Sequence, residues 1–205
     1  MKMLVTNAFY CGFTATMTFS YILSGSYINF WSQFFMAILE VLHFPDERLR
    51  NKALPVEEID SDIKKIATDM LETMYAENGI GLAAIQVNIK KRIVVIDVSE
   101  ERNEPLILIN PEITKLEGKE AMREGCLSVP EYYEVVERAE TIEFSYKTLE
   151  NEFVTTRTDD LLAVCVQHEI DHLDGKLFID YLSPLKRQRL KKKIEKLEKQ
   201  EVRSL

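Results

Sequence analysis

The sequence is short of cysteine: Cys11, Cys126 and Cys165 are three in 205 residues, too few and too scattered for a disulfide scaffold. That excludes the small stapled secreted folds and fits a reducing compartment with a thiol free for chemistry. Residues 3–39 lack Asp, Glu, Lys and Arg altogether, which raises the question of a targeting or membrane segment. Yet Thr, Ser, Asn, Gly and Tyr interrupt this run so often that no stretch of about 18–20 residues is continuously apolar, and no spanning helix is expected. A signal peptide would have only Lys2 as its basic end and a poor small-residue cleavage site around Ser24–Ser26. Met36 opens MAILEVLHFPDERL, which reads as a natural start. The expectation is an uncharged extension over 1–35, either a mispredicted upstream stretch or a weak anchor, ahead of one catalytic domain over 36–205. Internal repeats and low-complexity linkers are also missing, so a repeat architecture is excluded.

Positive charge is outnumbered, with 26 Lys and Arg against 34 Asp and Glu. The net charge of −8 argues against general nucleic-acid binding, and no DNA partner or firm membrane partner is expected. The balance is uneven: residues 183–205 hold nine Lys and Arg against three Glu, a local +6 that leaves −14 for residues 1–182. With 46% hydrophobic residues the chain can bury a real core.

Ile63, Ile66, Met70 and Met74 recur at spacings of three and four behind Asp60 or Ser61 and ahead of Asn78-Gly79, which predicts an amphipathic helix over 61–78. The runs 92–98, 106–111 and 131–148 are rich in Val, Ile, Phe and Tyr and read as strands joined by turns. A second helix is expected over 159–174, opened by Thr158 or Asp159 and closed by Gly175. Ser183-Pro184 forms an N-cap and first-turn pair for a third, basic helix over about 184–200. Strands clustered between helices point to an α+β fold, with antiparallel or mixed sheets packed around a central metal-binding helix and a helix towards each end.

That central helix carries QHEIDH (167–172). His168 and His172 stand four apart, on one face, where they can share a metal ion while Glu169 works on water. The bland alternative is a pair of core histidines satisfied by hydrogen bonds. Leu161, Val164 and Cys165 share their stripe, which is expected to face inward. A catalytic divalent metal usually has three protein ligands and an open position. The long-motif zinc peptidases would need a third His where Phe178 stands, so that class is excluded. Glu195 and Glu198 sit among cations on the third helix. Cys165 lies roughly 10 Å along the helix axis from His172 at 1.5 Å per residue, too far for a shared ion. Cys126, in REGCLSVP (123–130), remains as the third ligand, with Gly125 allowing a close turn and Glu124 anchoring the loop.

The blocks GIGLAAIQ (79–86), EGCLSVP (124–130) and QHEIDH (167–172), in this order and spacing, resemble peptide deformylase, from about Met36 to Lys199. Two departures stand out: Ile85, where the family often has proline, and Tyr132–Tyr133, where many members carry polar or basic residues. The resemblance implies an enzyme that removes formyl from N-formylmethionyl nascent peptides in the cytoplasm. It implies one Fe(II) per chain on Cys126, His168 and His172, with Zn(II), Ni(II) or Co(II) as substitutes, and Glu169 as acid–base residue. It implies that the Gln86 side-chain amide and the Leu127 N–H stabilise the developing oxyanion. Gly79 and Gly81, flanking Ile80, would let backbone approach backbone, so that a substrate peptide adds as a strand. Glu124 joins the substrate-binding residues, and Ile80, Leu161, Val164 and Cys165 would line an apolar slot for methionine. The basic third helix would contact the ribosome. Two other readings of the residues stay open: a zinc endopeptidase on the same His-Glu-His helix, and a non-enzymatic metal-stabilised module.

Overall fold

Asp60 starts the first helix, α1 (Ser61–Ala76), by accepting a hydrogen bond from the Ile63 N–H at 2.9 Å. The helix buries Ile63, Ala67, Met70, Thr73 and Met74 along one stripe. It ends two residues before the expected boundary because Asn78 takes a left-handed turn, φ 57°. This computed structural model describes residues 37–204. The expectations for 1–35, Cys11 included, lie outside the described residues.

Seven strands follow: β1 (Gly81–Ala83), β2 (Ile93–Ile96), β3 (Leu106–Glu117), β4 (Glu120–Cys126), β5 (Val129–Arg138), β6 (Thr141–Lys147) and β7 (Phe153–Thr158). Five of them pair antiparallel in the order β1-β2-β3-β6-β7, while β4 and β5 form a separate two-stranded hairpin. The run 131–148 holds two strands as expected, most of β5 and all of β6, separated after Arg138. The strand at 106–111 runs on to Glu117 through a more polar half whose apolar residues, Ile113 and Leu116, stand three apart and break the period-two pattern. β1, β4 and β7 were not anticipated: the first is very short, and EAMREGC and FVTTRT lack the apolar alternation of a half-buried strand.

The larger sheet separates two apolar compartments. Ile93 and Val95 of β2 face α1 with Leu82 and Ile109, while Val94 and Ile96 face the second helix, α2 (Asp160–Leu173), with Leu108 and Phe144. Every residue of α2 from Ala163 to Leu173 is buried, so the helix is covered on all sides. Leu161 departs from the expected inward stripe; as the second residue of the helix, it is 40% exposed. Gly175, φ 74°, stops the helix where a Cβ would lie 2.9 Å from the Arg50 carbonyl carbon.

A third apolar cluster joins the inner face of the hairpin (Val129, Val136) to Phe178, Ile179 and Leu182 and to Leu190 of the third helix, α3 (Pro184–Ser204). Ser183 caps α3 by accepting from the Lys186 N–H at 3.4 Å. The helix runs beyond the expected residue 200, to Ser204. Among the described residues no helix is long and apolar enough to cross a membrane.

Candidate metal centre

Cys126 is the last residue of β4, set by a register shift after Glu124 at the mouth of the Leu127–Ser128 turn. His168 and His172 project from one face of α2 with their rings edge to face, centroids 4.9 Å apart. The Cys126 Sγ lies 3.2 Å from His172 Nε2, which lies 3.2 Å from His168 Nε2, and the three donor atoms fall within 4.8 Å of one another. Cys165 is outside this group: burial and then the Glu169 charge push its thiol pKa well up, and its Sγ points to the Ile80 carbonyl at 3.8 Å.

The donor set fits a divalent transition metal. One sulfur and two imidazole nitrogens converging on one point are soft to borderline ligands, unsuited to Mg(II) or Ca(II). His168 Nδ1 lies 2.8 Å from Glu124 Oε2, so in the neutral ring the Nε2 lone pair faces the cluster. The electrostatics agree. Burial works against charge on His168, yet Cys126 and Glu124 hold its pKa well above the usual value, while burial and the neighbouring His168 depress that of His172.

Glu169 lies fully buried beside the histidines. Burial raises its pKa to about 7, against the pull of His168 and Arg138, and its Oε2 has no hydrogen-bond partner among the described residues. A bound cation would oppose that shift. Gly81 lies directly against Glu169: a Cβ there would collide with Oε1 and come within 2.8 Å of the Cys165 sulfur. At Gly79 it would meet Leu127 Cδ1 at 2.7 Å. The room these glycines leave is thus bounded by side chains of the site.

Gln86, fully buried, accepts from the Ala83 N–H at 2.8 Å, donates to Ser128 Oγ at 3.1 Å and has its Nε2 3.6 Å from Cys126 Sγ. It both ties down the cysteine turn and aims an amide at the cluster. The Leu127 N–H has no backbone partner among the described residues. Ile80 and Leu161 are 43% and 40% exposed, whereas Val164 and Cys165 are buried. Glu124, expected to bind substrate, instead has both oxygens committed: Arg138 Nε and Nη2 donate to them at 2.5 and 2.9 Å, and His168 occupies the rest.

Arg138, Asp171, Ser128, Gln167 and Phe178 were missed by sequence reasoning. Arg138 also donates to Asp171 Oδ2 at 2.8 Å, and Tyr181 donates its hydroxyl to the same carboxylate. Phe178 stacks on His168 with centroids 6.0 Å apart. The available signal for Asp171 and Gln167 was their place inside QHEIDH, a charged and an amide residue on a helix otherwise reading as core.

A family profile described as polypeptide deformylase matches residues 38–188. The peptide deformylase of Pseudoalteromonas translucida (strain TAC 125) is 63% identical over 161 residues, 78% of this chain and 96% of that protein. The crystal structure of a peptide deformylase from Legionella pneumophila superimposes with a TM-score of 0.77 at 42% identity, covering 82% of this chain and 99% of that one. A Met-Ala-Ser-bound class I type b peptide deformylase from Acinetobacter baumannii superimposes with a TM-score of 0.68 at 34% identity, covering 72% and 99%.

Proposed function

Because this chain belongs to the peptide deformylase family, hydrolases that remove N-formyl groups from nascent proteins, we propose that Cys126, His168, His172 and Glu169 form its active centre. The observation that supports this reading is the convergence of three donor atoms within 4.8 Å beside a buried carboxylate oxygen that has no other use. Fe(II), the metal the resemblance implies, would be held by Cys126, His168 and His172 and would supply Lewis-acid activation of water and of the formyl oxygen.

The chain's own groups do the rest. Glu169 Oε2 takes the proton of the attacking water and returns it to the departing methionine nitrogen, the double duty of an acid–base carboxylate. The Gln86 Nε2 hydrogen that Ser128 does not take and the Leu127 N–H would donate to the formyl oxygen as it gains charge; losing one such donor typically costs about 3–4 kcal/mol of transition-state stabilisation. Both are held before substrate arrives, Gln86 by Ala83 and Ser128, Leu127 by the hairpin turn. The free outer edge of β1 offers main-chain groups to an extended peptide, so binding beyond methionine depends little on side chains. The methionine side chain rests on exposed Ile80 and Leu161. The substrate is the formyl-methionyl end of a nascent chain in the cytoplasm, and the exposed Lys186, Arg187, Arg189 and Lys191–Lys193 of α3 provide a cationic face for ribosomal phosphates.

The test is formate release from formyl-Met-Ala-Ser by iron-loaded protein kept from oxygen. Glu169→Gln should retain stoichiometric metal and lose activity by about 10²–10⁴-fold. Cleavage of internal bonds in unblocked peptides, or full activity in the variant, would defeat this reading.

A further inference from the structure

The hairpin that carries Cys126 belongs to a different sheet from the one under α2, so no strand pairing fixes the cysteine relative to the histidines. Side chains do it. Arg138, at the end of β5, is a guanidinium with 4% of its side chain exposed, wedged between two carboxylates. It grips Glu124 of β4 bidentately, and Glu124 holds His168 Nδ1; on its other side it grips Asp171, which is on α2 between the two histidines. The circuit begins and ends on the helix and passes through both strands. Gln167 closes the base of the hairpin by exchanging hydrogen bonds with the Ala139 backbone at 3.1 and 2.9 Å.

We infer that Arg138, held by Asp171, is a positioning residue that registers the β4–β5 hairpin, and with it Cys126, against His168 and His172. Three features carry this. A buried guanidinium between paired carboxylates has one low-energy placement, since any displacement leaves a buried charge unpaired. Glu124 is the only partner of either outer ring nitrogen among the described residues, because His172 Nδ1 has none, so the aim of the histidine pair rests on the carboxylate that Arg138 holds. And the circuit extends to Tyr181, whose hydroxyl donates to Asp171 at 2.8 Å and whose ring lies 5.2 Å from the Arg138 guanidinium carbon.

The inference rests on the metal-hydrolase reading and is tested with cobalt(II) in place of iron, whose visible bands report the thiolate and both imidazoles. In Asp171→Asn and Arg138→Lys, with far-UV circular dichroism unchanged, the bands should shift or weaken. Cobalt affinity, by chelator competition, should fall about 10- to 100-fold. The Asp171→Asn/Arg138→Lys double variant should be no worse than the worse single, because Asp171 acts through Arg138. The kcat for formate release should fall while KM stays within about twofold, since the interaction is not with substrate. Tyr181→Phe removes only a half-exposed hydroxyl and keeps the test open if the buried variants fail to fold; it should move the same bands and loosen cobalt about two- to threefold, less than the carboxylate's own change. Unaltered bands and affinity in the folded single variants, additive losses in the double, or a Tyr181→Phe protein identical to wild type when the others do not fold, would each overturn the inference. Wild-type protein lacking a thiolate–cobalt band would instead remove the metal site itself.

Discussion

Gly81 has no side chain where the Glu169 carboxylate needs space, and the same space is bounded by the Cys165 sulfur. Gly81→Ala is therefore predicted to push Glu169 from its position while leaving the three donor atoms in place. Misplacing a reacting group by ~1 Å can cost about 10²-fold, so kcat should drop by one to two orders of magnitude with metal content unchanged, as measured by formate release and metal analysis. A kcat within twofold of wild type would mean that Glu169 tolerates the displacement. At this scale the sequence was most legible where chemistry leaves a local mark. His168, Glu169 and His172 are visible from their spacing, and Cys126 from exclusion of the other donors. Arg138 was not legible, because its partners lie 14 and 33 residues away and only the folded hairpin brings them together. Glu124 was legible as an anchor and misplaced as a substrate contact for the same reason.

α1 is joined to the loop after β2 by the Tyr75 hydroxyl, which donates to Asp97 Oδ2 at 2.6 Å. Asp97, buried, also accepts from Ser99 and from the Glu104 N–H, so it organises the turn from 99 to 104. Burial alone would raise its pKa, but these donors prevail and lower it. A depressed folded pKa means stability that is present above the unfolded value near 3.9 and is lost as pH falls through the folded one. Asp97→Asn should thus be destabilised relative to wild type in urea melts at pH 7, with the gap narrowing below about pH 4. Tyr75→Phe should cost about 0.5–1.5 kcal/mol at neutral pH. A gap independent of pH would show that the Asp97 charge adds nothing to the fold. Leu190 of α3 is 2% exposed in the third cluster, and Leu190→Ala should cost about 2–5 kcal/mol in the same assay. Helices were the elements best read from sequence, because period and caps coincide at Asp60 and Ser183; β4 and β7 were hidden because a polar or edge strand has no apolar signature.

For the molecule as a whole, the centre links α2 to the hairpin, so metal should stabilise the entire fold. At a free metal concentration of about 100 times its dissociation constant the gain is about 2.7 kcal/mol, and chelation should lower Tm by roughly 5–10 °C for a domain of this size. An unchanged Tm on metal removal would mean that the protein holds the site together unaided. The basic face of α3 on an otherwise acidic chain predicts ribosome co-sedimentation that weakens steeply with salt; pelleting equal with and without residues 186–205 at low salt would exclude that contact. Both effects are properties of the whole chain that no single motif encodes. The short strand Ile93–Ile96 works as a party wall: odd-numbered side chains furnish one room and even-numbered ones the other. A slip of a single position along it would turn both rooms inside out at once. The floor beneath the histidines therefore cannot drift unless the opposite helix gives way too, and tolerance to change should be lowest in this strand, which supplies none of the three donor atoms.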